Sequence, residues 1–273
     1  MICELEPEHH GRVGPLFDGW TFNLRIHSLL SGYSRGKVYV DNAETPGTAI
    51  VWIKDLFYLA GDATNRAFGE GLDEWVRETA IPLARKVGVG YFAVQVCPHG
   101  QWAARFPQLL QHRRLQVNRE WKFAFSAERY RRRRGTGTLA PGFTLQRVDR
   151  ELLEDPACEA MRKAVDWFCD SVDRFLERGL GYCVRHGQTL ISSCLSEYVH
   201  DTTHEIAINT YEPGYRRQGF ATSAACAYLE HCIANGATPV WSADETNAAS
   251  IAMAATLGFQ KVGEYPDFYF YFA

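Results

Sequence analysis

Residues 215–222, Tyr-Arg-Arg-Gln-Gly-Phe-Ala-Thr, form the most informative stretch of this chain. They follow an alternating run at 204–209 that is typical of a strand, and they lead into a helical run at 222–233. The first N–H groups of a helix have no intrahelical acceptor, and the helix dipole favours negative charge there. Gly219 lets the backbone come close to a ligand. We therefore expect an anion to bind where this helix begins.

Other phosphate-binding loops fit this stretch less well. A Walker A loop needs Gly-Lys-Ser/Thr, which does not occur here, and a dinucleotide fingerprint needs three spaced glycines where this loop has Gly219 alone. Arg216 and Arg217 can also be solvated residues of an ordinary turn. The loop by itself leaves that alternative open.

A second segment downstream has the order strand, helix, turn. Residues 239–243, Pro-Val-Trp-Ser-Ala, suit a short buried strand. Asn247 or Thr246 can cap the helix that follows, and Gly258 can end it. The distance between this segment and the first loop leaves room for one helix and one strand.

The two segments together resemble the GNAT acyltransferase superfamily. The spacing Arg216-x-x-Gly219-x-Ala221 is similar to the family signature Arg/Gln-x-x-Gly-x-Gly/Ala. The pattern Asn247-x-x-Ser250, followed by Leu-Gly-Phe, is similar to the next motif of that family. Two motifs in the right order are more specific than either alone.

The second motif has a form in this chain that resembles one particular branch of the family. Pro239-x-Trp241, followed by Asn-x-x-Ser, resembles the branch that includes the zwittermicin-type self-resistance acetyltransferase. The clear similarity runs over about 205–259, and the N-terminal half matches that branch more weakly.

The resemblance implies that acetyl-coenzyme A is the co-substrate and that its pyrophosphate lies on the loop. It also implies a strand that splays near 209–211 and a pantetheine arm close to the second motif. The residues expected to hold acetyl-CoA are Asn209, Thr210, Tyr211, Arg216, Arg217, Gln218, Gly219, Phe220, Ala221, Thr222, Asn247 and Ser250.

Acetylation of an amine requires a proton acceptor, because a free amine is mostly protonated at neutral pH. Glu205 lies eleven residues before Arg216, a spacing that resembles the glutamate base of the histone acetyltransferases in this family. In an alternating strand Glu205 shares a face with the small Ala207. A structural hydrogen bond is the alternative role, and Glu197 and His204 are the reserve candidates.

The proton donor for the leaving thiolate has no obvious candidate. Many GNAT enzymes carry a tyrosine four residues before the Gly-Phe turn, and this chain has Ala254 there. Tyr265 and Tyr211 are possible substitutes, while Ser250 would be a poor acid. A pantetheine thiolate can also leave without a dedicated acid.

Composition limits the class of protein. The chain has 273 residues, 46% of them hydrophobic, and no apolar run approaches the roughly 20 residues of a membrane helix. The acidic N-terminus lacks a signal-peptide pattern, so we expect a cytoplasmic protein that does not enter a membrane. Eight cysteines without a Cys-x-x-Cys pair predict free thiols, and no metal site is expected.

Charge is unevenly distributed. Residues 1–135 carry an excess of five positive charges, and residues 136–273 an excess of eight negative ones. The positive excess comes from Arg129 and the run at 131–134. Such a run can contact RNA, but we interpret it as a solvated linker and expect no nucleic-acid partner. The expected partner is a small-molecule amine, and the oligomeric state is left open.

Periodicity and turn residues predict the class of fold. We expect an α/β protein with a mixed sheet and the order β, α, β, β, β, α, β, α, β in the C-terminal half, as the GNAT fold requires. That half is the predicted catalytic domain, 143–273, and the linker is 131–142. Residues 1–130 are interpreted as a degenerate GNAT-like domain without a coenzyme loop, the alternative being an unrelated α/β lid.

The element boundaries are predictions of the same kind. Long helices are expected at 14–30, 68–86 and 151–178, and two short strands at the C-terminus, around 261–263 and 268–271.

The resulting hypothesis is an N-acetyltransferase that uses acetyl-CoA and a small amine. A second possibility keeps the fold and changes the donor to a longer acyl-CoA or an aminoacyl-tRNA. A third is a non-catalytic acyl-CoA sensor, which the alanine at position 254 suggests.

Overall fold

The computed structural model describes residues 2–20, 22–97, 99–133 and 139–272. Its internal contacts divide the chain into two compact units. Unit 1 consists of Met1–Leu30, Arg35–Trp121 and Gly263–Ala273, and unit 2 consists of Ser31–Ser34 and Lys122–Val262. The boundary between the units is crossed inside two strands, Gln116–Phe125 and Phe259–Tyr271.

Unit 1 is built on a mixed sheet. Its strands are β1 (Cys3–Leu5), β2 (Lys37–Val40), β3 (Thr48–Ile53), β4 (Leu56–Gly61), β5 (Tyr91–Val96) and the first part of β6 (Gln116–Phe125). Its helices are α1 (Leu24–Leu30), α2 (Arg66–Trp75), α3 (Ile81–Lys86) and α4 (Trp102–Leu109), with 3-10 segments at Pro7–Phe17 and Gln111–Arg113. β1 to β4 pair antiparallel in chain order, and β5 adds to β4 in parallel.

A helical crossover makes that parallel pair possible, since parallel neighbours cannot be joined by a tight turn. Residues 66–86 are helical throughout, with one π turn at Val76–Ala80 between α2 and α3. The predicted helix at 68–86 is therefore confirmed. Aromatic side chains fill the space below it, with Phe57 stacked on Phe92 at 5.2 Å and Trp75 edge-on to Phe57 at 5.5 Å.

The predicted helix at 14–30 is wrong. The chain forms a 3-10 helix over Pro7–Phe17 and begins α1 only at Leu24. Proline at position 15 removes a backbone donor, and the side-chain oxygen of Asn23 accepts the N–H of Arg25 at 3.2 Å. Both features compete with a continuous α-helix.

Unit 2 is also built on a mixed sheet. Its further strands are β7 (Phe143–Arg147), β8 (Gly181–His186), β9 (Thr189–His200), β10 (Thr203–Thr210), β11 (Thr238–Asp244) and the first residues of β12 (Phe259–Tyr271). Its helices are α5 (Ala127–Arg133), α6 (Arg150–Glu154), α7 (Glu159–Phe168), α8 (Val172–Arg178), α9 (Phe220–Asn235) and α10 (Ala248–Thr256). The strand order is β7–β8–β9–β10–β11, and the end of β6 lies beside β11.

These elements confirm the prediction of an α/β fold with a mixed sheet. β7 to β10 are antiparallel, and β11 joins β10 in parallel through the crossover helix α9. The single helix predicted at 151–178 is wrong, because the chain forms α6, α7 and α8 there. Ser171 ends the continuity, since its side chain caps α8 by accepting the N–H of Arg174 at 3.1 Å.

The prediction of two C-terminal strands is also wrong. The observed strand affects where the boundary between the two units lies. β12 is one strand of 13 residues, although Gly263 and Pro266 interrupt its sequence pattern. Its second part, from Asp267 to Tyr271, pairs antiparallel with β5, so residues 263–273 belong to unit 1.

The predicted linker at 131–142 is helical at its start, where 131–133 complete α5, and 134–138 lie outside the described residues. The assignment of 1–130 and 143–273 as separate domains stays a prediction.

Candidate active site

The site begins where two parallel strands part. β10 and β11 are in register from Thr203 opposite Thr238 to Glu205 opposite Val240. β10 then runs on to Thr210 in register with β9, and β11 runs on to Asp244. Within the described residues, the register between β10 and β11 ends at Glu205, so the two strands diverge from this point. Residues 206–210 and 241–244 have no such pairing with each other among the described residues, and we call the space between these two segments the cleft.

A β-bulge lies at the point of divergence. Glu205 is opposite Tyr198 on β9, but the next residue, Ile206, is opposite Ser196. Glu197 is therefore the extra residue of the bulge. Bulges increase local twist and re-aim side chains, and they are common beside active sites.

The loop after β10 ends in an open helix start. Gly219 is the N-cap of α9 with φ of 87° and ψ of −4°, and none of the described side chains caps the helix there. Ser223 donates its N–H to the carbonyl oxygen of Gly219 at 2.9 Å, which is the first bond of the helix. The N–H groups of Phe220, Ala221 and Thr222 precede that bond, at the positive end of the helix dipole.

Aromatic packing holds this helix start in place. Phe220 is buried and stacks on Phe143 with ring centroids 4.3 Å apart, and it meets Tyr215 edge-on at 5.6 Å. Phe143 stacks in turn on His186 at 4.5 Å. Phe220 therefore anchors the loop through its side chain, while its backbone remains at the helix start.

The polar loop residues divide into two groups. The side-chain amide of Gln218 donates to the carbonyl oxygen of Gly214 at 2.7 Å. This hydrogen bond lies within the loop and stabilises its conformation. Arg216 and Arg217 are exposed, and Arg217 has a left-handed backbone with φ of 60°. The two guanidinium groups are thus exposed positive charges of the loop, close in sequence to the N–H groups of the helix start.

Glu205 and His204 are neighbours on β10 but face opposite sides of the sheet. Glu205 is 1% exposed. His204 Nδ1 lies 2.9 Å from Ser196 Oγ, which also lies 2.7 Å from the hydroxyl of Tyr228 on α9. Burial lowers the pKa of His204 to about 4, with the charges of other residues contributing less. His204 is therefore neutral at pH 7 and belongs to the packing beneath α9, not to the face of Glu205.

The candidate acids have different surroundings. Tyr211 lies at the end of β10 with its hydroxyl 2.8 Å from Ser193 Oγ, and burial raises the pKa of Tyr211 to about 12. Tyr265 belongs to unit 1, where its ring stacks on Trp20 at 5.3 Å. Ala254 is fully buried within α10.

The second motif has clear structural roles. Asn247 caps α10, because its side-chain oxygen accepts the N–H of Ser250 at 3.1 Å. Ser250 Oγ accepts the indole N–H of Trp241 at 2.9 Å, which ties α10 to β11. Asn209 is exposed and Thr210 half-buried on the far part of β10. Asn209 and Thr210 therefore border the cleft, while Asn247 and Ser250 shape the helix beside it.

Sequence reasoning missed one polar pair in unit 2. Lys122 on β6 is 2% exposed, and its Nζ donates to Ser242 Oγ on β11 at 3.0 Å. A single lysine inside the apolar run Trp-Lys-Phe-Ala-Phe at 121–125 was the available signal.

Other features of the described residues bear on the class of site. No helix in that part of the chain is long and apolar enough to cross a membrane. The same residues contain no group of three or more His, Cys, Asp or Glu side chains arranged to hold a metal ion. All eight cysteines are free thiols.

Comparison with known proteins decides the family. The model of the GNAT acetyltransferase family matches residues 14–268. The chain belongs to the GNAT acetyltransferase family. It is 27% identical over 271 residues to the uncharacterized N-acetyltransferase YdfB of Bacillus subtilis, with 98% of each chain covered.

Solved GNAT structures share the fold. A GCN5-related N-acetyltransferase-like protein from Streptococcus suis is 20% identical with a TM-score of 0.70, covering 97% of this chain and 99% of that one. A tandem GNAT protein from the clavulanic acid biosynthesis pathway is 13% identical with a TM-score of 0.61, covering 98% and 97%. At these identities the similarity is one of fold.

GNAT proteins generally use acetyl-CoA, and the start of α9 fits a diphosphate. A Cβ built on Gly219 would meet nothing within 4 Å, so the space above the helix start is open. The uncapped N–H groups and the two exposed arginines supply donors and positive charge for an anion of that kind.

The crossover helix of unit 1, α2, begins with a side-chain cap. Asn65 caps α2 by accepting the N–H of Phe68 at 3.0 Å, and its amide nitrogen donates to Asp41 at 2.7 Å. A Cβ on Gly61, at the end of β4, would lie 2.3 Å from the carbonyl oxygen of Gly47. The start of α2 is therefore capped by a side chain, whereas the start of α9 is not.

Proposed function

We propose that this GNAT protein transfers an acetyl group from acetyl-CoA to an amine of a small molecule. The observation that carries the proposal is the uncapped start of α9 at the end of a strand that diverges from its neighbour at a buried carboxylate, Glu205. In this proposal, the anion-binding helix start and the proton acceptor belong to the same strand-loop-helix segment.

Acetyl-CoA supplies the acetyl group as an activated thioester. In the proposed complex, the N–H groups of Phe220, Ala221 and Thr222 hold the pyrophosphate, and Arg216 and Arg217 neutralise its charge. Backbone groups of Asn209, Thr210 and Tyr211 border the cleft for the pantetheine arm, with Asn247 and Ser250 beside it. Each of these assignments follows the family motif residue by residue.

Glu205 is the proposed proton acceptor. It lies at the fork of β10 and β11, and a carboxylate there can take a proton from an ammonium or from a bridging water as the nitrogen attacks. Glu197 at the bulge is the alternative acceptor.

No dedicated acid is proposed. The tyrosine position of the family holds the buried Ala254, and the raised pKa of Tyr211 makes its hydroxyl a weak donor at neutral pH. Tyr265, the other candidate tyrosine, is packed against Trp20 in unit 1. The thiol of CoA therefore leaves as a thiolate that solvent protonates.

The finer assignments are also proposals. We propose an acceptor among antibiotics or related metabolites, because the form of the second motif resembles that of the zwittermicin-type branch. Residues 143–273 are the proposed catalytic half, and 1–130 a degenerate GNAT half whose coenzyme position Asn65 and Asp41 have closed.

Calorimetry with acetyl-CoA tests the binding part of this function. Gly219→Val places a branched side chain in the open space at the start of α9 and should abolish binding. Gly236→Val is the matched control, because Gly236 ends the same helix with a positive φ of 70° and also has open space around it. Equal affinity in both variants, or no binding by the folded wild type, would exclude the assignment.

Turnover tests the catalytic part. Release of free thiol should be measured with acetyl-CoA and a panel of primary amines, and at least one amine should be acetylated. Binding of acetyl-CoA without acetylation of any amine would favour the sensor, which the buried alanine at position 254 suggests.

A further inference from the structure

A stack of three aromatic rings lies beside the open start of α9. Phe220 is the first residue of α9, and its ring stacks on that of Phe143 with centroids 4.3 Å apart and planes inclined by 27°. The ring of Phe143 also stacks on the imidazole of His186, at 4.5 Å and 20°. Two rings cannot share one face of Phe143 at such distances, so Phe143 lies between the other two. The stack therefore runs from the helix start to His186 at the end of β8.

The three rings become more exposed along the stack. Phe220 is buried, Phe143 is half-buried and His186 is exposed. Gly142 lies against the imidazole of His186, where a Cβ would come within 3.1 Å of Nε2, and its φ of 89° favours glycine. The missing side chain keeps space beside the imidazole free, so the exposed end of the stack has room for a further ring.

Burial does not account for the ring at position 186. Tyr215 meets Phe220 edge-on at 5.6 Å and Phe143 at 5.8 Å, so Phe220 has two aromatic neighbours without His186. An exposed imidazole removes little apolar surface from water. A purely structural His186 would shield Phe143 and would have no preference among ligands.

The position of the stack fits a nucleotide whose diphosphate lies on the start of α9. The two centroid distances bring the His186 ring within about 9 Å of the ring of Phe220, whose backbone N–H belongs to the proposed diphosphate site. In acetyl-CoA a ribose separates the adenine from the diphosphate, and an adenosine is long enough to cross that distance. Adenine is a flat aromatic base, and such bases stack on aromatic side chains. The pantetheine arm is flexible and aliphatic, so it gains little from such a surface.

We propose that His186 is the platform on which the adenine of acetyl-CoA stacks. The proposal rests on the proposed function in one respect, the binding of the acetyl-CoA diphosphate at the start of α9. It gives a residue outside the two family motifs a role in binding the nucleotide part of the co-substrate. His186 has no part in the acetyl transfer itself.

Two ligands that differ in the adenosine test this contact. Acetyl-CoA contains the adenosine, whereas acetylpantetheine 4′-phosphate keeps the acetyl and pantetheine groups and lacks it. In calorimetry, His186→Ala should weaken the binding of acetyl-CoA by about 5- to 150-fold, the usual effect of removing an aromatic side chain that stacks on a base. The affinity for acetylpantetheine 4′-phosphate should not change.

Two further variants serve as controls for the side chain and for the turn. His186→Phe keeps a flat ring, so it should retain most of the affinity for acetyl-CoA. Gln188→Ala changes an exposed residue of the turn that follows β8 and removes no ring, so both ligands should bind it as they bind the wild type.

Proton NMR of the wild type detects the stacked base directly. The ring-proton signals of His186 are identified by their loss in His186→Ala or His186→Phe. They should move upfield when acetyl-CoA or adenosine 3′,5′-bisphosphate binds, because the protons then lie over the face of the adenine. Acetylpantetheine 4′-phosphate should not cause this upfield shift.

The outcomes separate this proposal from the proposed function. Equal weakening of both ligands in His186→Ala would make His186 structural. An unchanged affinity for acetyl-CoA in that variant, or ring protons that do not move when acetyl-CoA binds, would exclude the stacked adenine. Each of these results overturns the platform and leaves the binding of acetyl-CoA by the wild type intact. Absence of acetyl-CoA binding by the folded wild type would refute the proposed function and the platform together.

Discussion

Single residues on β10 have opposite environments although they are adjacent in sequence. Glu205 is buried on the face of the proposed cleft, and His204 is buried beneath α9 against Ser196 and Tyr228. Alternate residues of a strand point to opposite faces. Two adjacent residues of β10 therefore have different roles, a proposed catalytic one for Glu205 and a structural one for His204.

Replacement of the proposed proton acceptor should slow the reaction and leave binding intact. Glu205→Gln keeps the size and hydrogen bonding of the side chain, and the rate at neutral pH should fall by about 10²–10⁴. The rate should recover as pH rises, since more of the amine is then neutral. Glu212→Gln, at an exposed position before the loop, is the control. Near-normal turnover in Glu205→Gln with a strongly basic amine would make Glu205 structural and Glu197 the next candidate.

His204 should make the protein sensitive to acid. The pKa of His204 is about 4 in the folded protein and about 6.5 in an unfolded chain, so the unfolded state binds more protons between these values. The contribution of neutral His204 to the free energy of unfolding is therefore fully present above about pH 6.5. About 3 kcal/mol of stability is lost from this residue as the pH falls to 4. Urea unfolding of the wild type and His204→Gln at pH 7, 5 and 4 measures it. If both lose the same stability over that range, His204 does not titrate as described.

At the scale of elements, two crossover helices begin in different ways. α2 begins at Asn65, whose side chain caps it, whereas α9 begins at Gly219 without such a cap. A cap contributes about 1 kcal/mol to helix stability, so its absence at α9 leaves donors available for a ligand. The packing of Phe220 on Phe143 replaces the cap in holding the helix start.

Loss of the packing of Phe220 on Phe143 should lower both the stability of unit 2 and the affinity for acetyl-CoA. Phe220→Ala removes a side chain that is 6% exposed, and it should destabilise unit 2 by about 3 kcal/mol. Acetyl-CoA affinity should fall as well, because the backbone N–H groups lose their fixed positions. Phe220→Leu keeps part of the buried apolar surface, so its stability and its affinity for acetyl-CoA should lie between those of the wild type and Phe220→Ala. Unchanged affinity in folded Phe220→Ala would show that the ring does not position the helix start.

At the scale of the whole molecule, the prediction concerns the number of acetyl-CoA molecules that one chain binds. Unit 1 has a closed helix start at Asn65, and unit 2 has an open one at Gly219. We expect a calorimetric titration with acetyl-CoA to saturate at one molecule per chain. Gly219→Val should abolish all binding, whereas Asn65→Ala should cost about 1 kcal/mol of stability and leave the stoichiometry at one. A stoichiometry near two would contradict the interpretation of unit 1.

The sequence by itself determined the α/β class and most of the elements in both units. Gly219 at a strand-to-helix turn and the periodicity around it were sufficient, because glycine geometry and strand alternation are local properties. The family followed from two motifs in order. Local patterns also misled, since they merged α6, α7 and α8 into one helix and divided β12 into two strands.

Only the tertiary structure decided which residues meet. It assigned residues 263–273 to unit 1, packed His204 against Ser196, and brought Lys122 to Ser242 across 120 positions of sequence. The physical reason is that register, bulges and strand order are set by pairing between distant segments. No local sequence pattern encodes which strand will lie beside another, and burial of a single lysine is meaningful only once its neighbours are known.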